Sequence, residues 1–119
     1  MSTWRGKGTI LDRDDRGFRK AVMKTLFNQR DPGRLPQVMV QPIGADDVIE
    51  AIALARRENL QIGICSGGHS WSANHVRDGG LLLDMSRFNE MRIDRDRAIA
   101  TAGPGCGGSD LVHALGKEG

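Results

Sequence analysis

The chain has 119 residues, enough for one modest hydrophobic core. Hydrophobic residues make up 39% and charged residues 27% of the chain, with a mean hydropathy of −0.39, a balance typical of globular proteins and not of membrane or disordered ones. A net charge of +2 and an aromatic share of 4% without Tyr give no sign of the basic patch or stacking aromatics that nucleic-acid binding uses.

The N-terminal part is predicted to be a polar arm followed by a helix. One short strand is expected around residues 9–11. Beyond it, apolar residues recur at three- and four-residue steps and would share one face of a helix: Phe18, Ala21, Val22 and Leu26. The turn signal at 31–33 and Pro36 then break the helical pattern. We therefore divide the chain into an arm and helix (1–33) and a main part (34–119).

The main part opens with a strand, a helix and a strand. Residues 38–40 form a short apolar run closed by Pro42. A helix is expected after Gly44, with acidic residues at its start and basic residues at its end, as the helix dipole favours. Its predicted apolar stripe is Val48, Ala51, Ile52 and Ala55. A second strand over 60–65 completes a βαβ unit, which predicts a parallel pair.

Three further strands and a last helix follow. Residues 81–84 are an apolar run of strand length, and residues 91–93 and 99–102 flank a charged turn that predicts a hairpin. Ser109 is expected to cap a short final helix with Leu111, Val112 and Leu115 on one side. The fold class is therefore α/β: a small parallel sheet with crossover helices leads into a mainly antiparallel second part. Because the last helix scarcely buries a face before residue 119, we expect the domain to be truncated.

The segment with the clearest chemical meaning is Cys65-Ser66-Gly67-Gly68-His69-Ser70, directly after a predicted buried strand. Glycines allow positive φ angles and leave room for a ligand close to the backbone. Successive N–H groups in such a turn can converge on an anion, so the segment suits a phosphate or diphosphate. The pattern is neither a Walker loop nor a Gly-x-Gly-x-x-Gly fingerprint. From the spacing alone, a tight surface turn with a solvated histidine is an equal alternative.

Five segments, in this order, resemble the N-terminal part of the FAD-linked oxidases related to berberine bridge enzyme, in the vanillyl-alcohol oxidase superfamily. They are Leu35-Pro36 through Gln41-Pro42, Asp46-Asp47-Val48, Ser66-Gly67-Gly68-His69-Ser70, Leu82-Leu83-Asp84-Met85-Ser86 and Thr101-Ala102-Gly103. The resemblance implies FAD as cofactor, with its diphosphate bound by residues 65–70. It also makes His69 a candidate for covalent attachment to the 8-methyl carbon of the flavin; a histidine that only forms hydrogen bonds is the alternative. The family usually has Arg at the position of Cys65, so a positive charge beside the diphosphate is missing here.

The resemblance implies an FAD-dependent oxidoreductase that oxidises an alcohol, a sugar or a related small molecule, with molecular oxygen as a candidate acceptor. No residue is assigned as the catalytic base. The rival is a truncated, non-catalytic half-domain that binds a nucleotide or a partner chain. We expect the 119-residue chain alone to be inactive and to self-associate through uncovered sheet edges.

The remaining candidates are weaker. Cys65, His69, His75 and His113 do not have the spacing of a metal site, and no metal is expected. Cys65 with His69 lacks a third group to orient it as a nucleophile pair. Trp71 is expected to be a half-buried anchor, and the two cysteines, Cys65 and Cys106, could form one disulfide or none. With no signal peptide and no long apolar run, we expect a cytoplasmic protein without membrane or nucleic-acid partners.

Overall fold

The computed structural model describes residues 4–119. Four strands form the main sheet: β1 (Thr9–Asp12), β2 (Val38–Gln41), β3 (Ile62–Cys65) and β4 (Leu81–Asp84). Their order is β1-β2-β4-β3, with β1 antiparallel to β2 and the other neighbours parallel. The helices are α1 (Phe18–Met23), α2 (Ala45–Glu58) and α3 (Gly108–Glu118), and β5 (Met91–Asp94) pairs with β6 (Ile99–Ala102) in an antiparallel hairpin.

This architecture confirms the predicted α/β class, with a mainly parallel sheet followed by an antiparallel pair. One detail of the βαβ unit differs from the simplest expectation. Strands β2 and β3 are parallel but are not neighbours, because β4 lies between them and pairs with both. The most buried strand of the sheet is therefore the last of its four in sequence, and all four of its residues are buried.

Side chains alternate between the two faces of the sheet, and each face carries its own core. Met39 and Leu82 face one side, where they pack with α1 and with the segment after β3. Val38 and Leu81 face the other, where they pack against α2. Both sides of β2 and β4 are thus covered, which explains why these strands are continuously apolar instead of alternating with polar residues.

Helix α2 buries a slightly different stripe from the one predicted. The buried residues are Asp47, Ala51, Leu54 and Ala55. Ile52 is 37% exposed, so its assignment to the core face was wrong. Asp47 is buried because its carboxylate accepts the backbone N–H groups of Lys7 at 2.7 Å, Gly8 at 2.9 Å and Ile43 at 2.9 Å. It joins the segment before β1 to the start of α2.

The hairpin and α3 lie outside these two cores. Strand β6 is exposed at every position, and α3 buries none of its residues. The cap of α3 is Gly107, with no side-chain hydrogen bond, so the prediction that Ser109 caps it was wrong. Cys65 and Cys106 are both free thiols. Within residues 4–119, no helix combines the length and the apolar character that a membrane span needs.

Candidate functional site

A row of side chains crosses the sheet at the carboxyl ends of its parallel strands. Thr9 of β1 is paired with Gln41 of β2, and Asp84 of β4 is paired with Cys65 of β3. Gln41 and Asp84 are joined by a hydrogen bond of 3.1 Å from the amide Nε2 to the carboxylate Oδ2. These residues form the floor of a cavity of about 600 Å³. The carboxyl edge of a parallel sheet is where α/β folds commonly bind their ligands.

Three segments form the walls of this cavity. One is the loop Ser66–Gly68. The second is α1 with the residues that flank it, which contribute Lys20 and Lys24. The third is the short 3-10 turn Met85–Arg87 after β4, where Arg87 is held by a hydrogen bond of 3.3 Å from Nη1 to the Thr9 hydroxyl. The predicted loop and a set of cations distant in sequence thus share one cavity.

The loop requires glycine at position 68. Gly68 has φ +71°, and a Cβ added there would lie 2.5 Å from the carbonyl oxygen of Thr25. Its own carbonyl accepts the N–H of Phe27 at 3.2 Å. The positive φ predicted for the Gly-Gly pair is therefore found at its second residue, which packs directly on the segment after α1.

The backbone of this loop has the character of an anion site. Within residues 4–119, no acceptor is bonded to the amide N–H of Gly67 or His69, and the N–H of Gly68 faces the sulfur of Cys65. Neighbouring N–H groups in a turn with a left-handed residue can converge on one anion. The residues present therefore fit a diphosphate, the part of FAD that the family resemblance implies for this loop.

The ionisable groups on the cavity floor are Asp84 and Cys65. The Asp84 carboxylate accepts the N–H of Ser86 at 3.1 Å in addition to its bond with Gln41. Burial, and secondly the negative charge of Asp84, raise the pKa of the Cys65 thiol, while a backbone hydrogen bond from Gly68 opposes the change. The thiol is therefore neutral at neutral pH, and a thiolate nucleophile at Cys65 is disfavoured.

A buried pair, Thr25 and His75, lies against the inner side of the loop at Gly68. Both side chains are almost fully buried. The Thr25 hydroxyl donates to the carbonyl of Val22 at 2.6 Å and lies 2.9 Å from Nε2 of His75. Because the hydroxyl proton is already used, Nε2 is the donor, which identifies the tautomer of the neutral imidazole. The carbonyl of Thr25 is the atom that Gly68 approaches, so His75 holds the segment on which the loop rests.

Arg34 fixes the segment that contains His75. Its Nη2 donates to the carbonyl oxygens of Ser72 at 2.8 Å and Ala73 at 2.7 Å, and its Nε donates to that of Val76 at 2.6 Å. Burial, and next the positive charge of Arg34, lower the pKa of the His75 imidazole, while Asp84 acts in the opposite direction. His75 is therefore kept neutral at neutral pH.

His69 lies on the outer side of the loop and is exposed. Its imidazole meets the ring of Phe27 edge-on, with centroids 6.3 Å apart, and Phe27 meets Trp71 in the same way at 5.0 Å. Trp71 is 78% exposed, so the prediction of a half-buried anchor was wrong. The three rings form an open aromatic surface next to the loop.

The structure brings some of the predicted site residues together and leaves others apart. Cys65, Ser66, Gly67 and Gly68 all line the cavity, whereas His69 and Ser70 do not. The Ser70 hydroxyl instead accepts the N–H of Asn74 at 3.2 Å within the loop. Among residues 4–119, no three His, Cys, Asp or Glu side chains are grouped so that they could hold a metal ion.

Sequence reasoning missed the residues that reach the cavity from elsewhere in the chain. They are Thr9, Lys20, Lys24, Gln41, Asp84 and Arg87. One local signal was available for two of them. Lys20 and Lys24 are four residues apart, a spacing that places side chains on the same face of a helix. The others are brought in by strand pairing alone.

Comparisons with known proteins show which family this chain resembles. The profile of a family described as "FAD binding domain" matches residues 36–119. An FAD-linked oxidoreductase of Penicillium crustosum is 35% identical over 109 residues, which are 92% of this chain and 24% of the relative. The (R)-6-hydroxynicotine oxidase of Paenarthrobacter nicotinovorans is 30% identical over 113 residues, which are 95% of this chain and 24% of that enzyme.

Solved structures show the same likeness. The crystal structure of 6-hydroxy-D-nicotine oxidase from Arthrobacter nicotinovorans superposes on all of this chain and on 26% of that chain, with a TM-score of 0.87 and 28% identity. The chain thus spans about a quarter of the length of the relatives that it matches.

Proposed function

This chain belongs to the FAD-binding domain family of FAD-linked oxidoreductases, and from that premise we propose that residues 65–70 bind the diphosphate of FAD. The observation that carries the proposal is the state of the loop amides. The N–H groups of Gly67 and His69 have no acceptor within residues 4–119, in a turn that also borders a cavity with three cations.

The protein's contribution to cofactor binding is positional. The loop is fixed before any ligand binds. Gly68 packs against the Thr25 carbonyl, and the carbonyl oxygen of Gly68 accepts the N–H of Phe27 at 3.2 Å. A preformed set of donors binds an anion without the cost of ordering a flexible loop. Thr25 and His75 are therefore proposed to act as supports, and the loop amides as the groups that touch the cofactor.

His69 is proposed as the site of covalent flavin attachment. Its exposed imidazole leaves a ring nitrogen accessible beside the loop, and a neutral imidazole nitrogen is a competent nucleophile. Bond formation to the 8-methyl carbon would release one proton from the imidazole and one from the methyl group. The two electrons would remain in the flavin ring, from which molecular oxygen could remove them.

The activity proposed for the whole protein is oxidation of a small molecule such as an alcohol or a sugar. When bound, FAD supplies the acceptor for the hydride, and oxygen is the proposed final acceptor, as the names of the oxidases among the relatives suggest. For residues 1–119 themselves the proposed role is cofactor binding, and the catalytic base is not assigned to them. The division into an arm and helix (1–33) and a main part (34–119) remains a proposal.

The experiment that tests this function is the measurement of flavin in the purified protein and in its His69→Ala variant. We expect visible flavin absorbance in the parent. Absorbance that remains with the polypeptide after acid precipitation would identify a covalent bond, and mass spectrometry should place it on the peptide that contains His69. The variant should lose the covalent flavin and retain some non-covalent FAD. Covalent flavin that persists in the variant would refute the role of His69, and a parent without affinity for FAD would refute the cofactor site itself.

A further inference from the structure

The cavity beside the loop carries an excess of positive charge. Its cationic residues are Lys20, Lys24 and Arg87, and its carboxylate is Asp84. Three cations against one carboxylate leave two positive charges. The cysteine on the floor does not change this count, because burial and the nearby Asp84 carboxylate raise the pKa of its thiol and keep it neutral. The diphosphate bridge of FAD is a doubly ionised anion, so the charges match.

We propose that Lys20, Lys24 and Arg87 form a cationic subsite that neutralises the diphosphate held by the loop Ser66–Gly68. The inference rests on the proposed function of that loop and extends it to residues that the sequence motif does not contain. It also explains how the site can bind an anion although position 65 carries no positive charge. Cys65, buried and neutral, gives the anion no charge from the strand end, so the compensation comes from α1 and from the turn after β4.

The position of each cation supports the assignment. Lys20 and Lys24 lie four residues apart in the cavity wall, and both are exposed, so their flexible side chains can turn toward an anion in the cavity. Arg87 is oriented by its bond to the Thr9 hydroxyl at 3.3 Å, which uses one Nη1 donor and leaves the other guanidinium donors available. Asp84 is restrained by Gln41 and Ser86.

The test is reversible FAD binding, measured in a His69→Ala background so that no covalent bond interferes. In that background we would compare Lys20→Gln, Lys24→Gln, the double lysine variant and Arg87→Gln. Arg19→Gln is the matched control, because Arg19 is a neighbouring exposed cation of α1 that pairs with Asp31 and does not line the cavity. Riboflavin, which has no phosphate, would be titrated beside FAD and ADP.

We expect each single substitution to raise the Kd for FAD about threefold to tenfold, and the double lysine variant more, since each removes a charge-assisted contact. ADP should respond in the same way, and riboflavin should not respond. The dependence of log Kd on salt concentration should become shallower in the variants, because fewer charges contribute. The Arg19→Gln control should bind FAD like the background protein.

Two results would overturn the inference in different ways. If the double lysine and Arg87 variants bind FAD and ADP with unchanged affinity, the cationic subsite is refuted and the loop assignment stands. If the background protein binds neither FAD nor ADP, the proposed function of the loop fails, and the subsite fails with it. Equal losses of riboflavin and FAD binding would also refute the subsite, because they would show a general distortion of the cavity and not a missing charge.

Discussion

The two adjacent glycines of the loop have different structural roles. Gly68 is left-handed, with φ +71°, and a Cβ there would approach the Thr25 carbonyl oxygen to 2.5 Å. A Cβ on Gly67 would meet the His69 imidazole, at 3.0 Å. The first obstacle is backbone that is itself held in place, and the second is an exposed side chain that can rotate away. The steric demand of the loop is thus concentrated at one residue.

We therefore expect Gly68→Ala to be much more damaging than Gly67→Ala. The left-handed conformation alone would cost about 1–3 kcal/mol for a residue with a Cβ, and displacement of Thr25 would add to this. Urea unfolding of both variants measures the stability, and FAD titration measures the site. We expect Gly68→Ala to reduce both and Gly67→Ala to leave stability nearly unchanged. Equal effects of the two substitutions would contradict the different roles of Gly67 and Gly68.

At the scale of elements, Asp47 joins two segments that are distant in sequence. Its carboxylate accepts three backbone N–H groups, from residues 7, 8 and 43. Hydrogen bonds to a charged group contribute more than neutral ones, and buried N–H groups left without an acceptor are costly. We expect Asp47→Asn to lower the free energy of unfolding by about 2–3 kcal/mol, because an amide can replace only part of this acceptor capacity.

Asp46 supplies the matched control for this prediction. It is the preceding residue in the first turn of α2 and carries the same charge, but it is exposed. Asp46→Asn should lose only the dipole interaction, about 0.3–1 kcal/mol. Chemical denaturation of the two variants under the same conditions gives the comparison. Similar losses would mean that Asp47 acts through the helix dipole and not through the bonds to the segment before β1.

The Thr25–His75 support predicts a dependence of stability on pH. Because burial and Arg34 lower the pKa of His75 in the folded protein, the unfolded chain, in which histidine titrates near about 6.5, takes up the proton first as the pH falls. The contribution of the neutral imidazole is complete above the unfolded pKa. It is lost progressively as the pH falls from there toward the folded pKa.

His75→Gln is the variant that isolates this effect, because a glutamine amide can still donate to the Thr25 hydroxyl but does not titrate. We expect the urea midpoint of the parent protein to fall more steeply between about pH 7 and about pH 5 than that of His75→Gln. Other titrating groups contribute equally to both proteins. Parallel curves for the two would exclude His75 as the source of the pH dependence.

Local sequence signals predicted the elements well and their arrangement less well. The strand at 38–40, helix α2 and the 91–102 hairpin follow from short-range periodicity and turn residues, and the structure contains all three. The position of β4 between β2 and β3 depends on long-range packing, because the central strand must be covered on both faces of the sheet. A local sequence pattern does not predict this order. The exposure of Ile52 and Trp71 likewise depends on what the tertiary fold places against them.

The same distinction applies to the site. Residues 65–68 are contiguous, so the motif could be recognised from the sequence, and they line the cavity as expected. Lys20, Arg87 and Thr9 are contributed by three other segments. The packing of α1 on the sheet places Lys20 at the cavity, and strand pairing places Thr9 and the turn after β4 there. In the sequence, each of these residues looks like an ordinary polar surface residue.

At the scale of the whole molecule, the edges of the main sheet determine how it meets other copies of itself. Within residues 4–119, β3 pairs on one side only, with β4, and its Ile64 side chain is 62% exposed. Unpaired edge strands with exposed apolar residues favour association. We expect light scattering to show concentration-dependent self-association of this chain.

The substitution Ile64→Lys should reduce that association, since a charge on an edge strand opposes pairing. Ile49→Lys is the control, because Ile49 is 64% exposed and lies on α2, away from the edge. An equal reduction in both variants would indicate general repulsion between charged molecules and not pairing through β3. No association in the parent would refute the prediction directly.

The molecule also divides into a well-packed part and a thinly packed part. Its radius of gyration is 15.8 Å, larger than the ~13.5 Å expected for a compact domain of this length. The difference has a visible source, because β6 is exposed along its whole length and α3 buries no residue, whereas β4 is buried throughout. Local stability depends on buried apolar contacts, so it should differ strongly between these segments.

Amide hydrogen exchange at low protein concentration measures this difference directly. We expect the slowest exchange in β4 and β2, which lie at the centre of the sheet and should open only with global unfolding. Amides of β5, β6 and α3 should exchange at least about tenfold faster, since opening them exposes little apolar surface and costs correspondingly less free energy. Low concentration matters because association could protect the edges. If α3 exchanged as slowly as β4 under these conditions, both parts would unfold as one cooperative unit, and the division would be wrong.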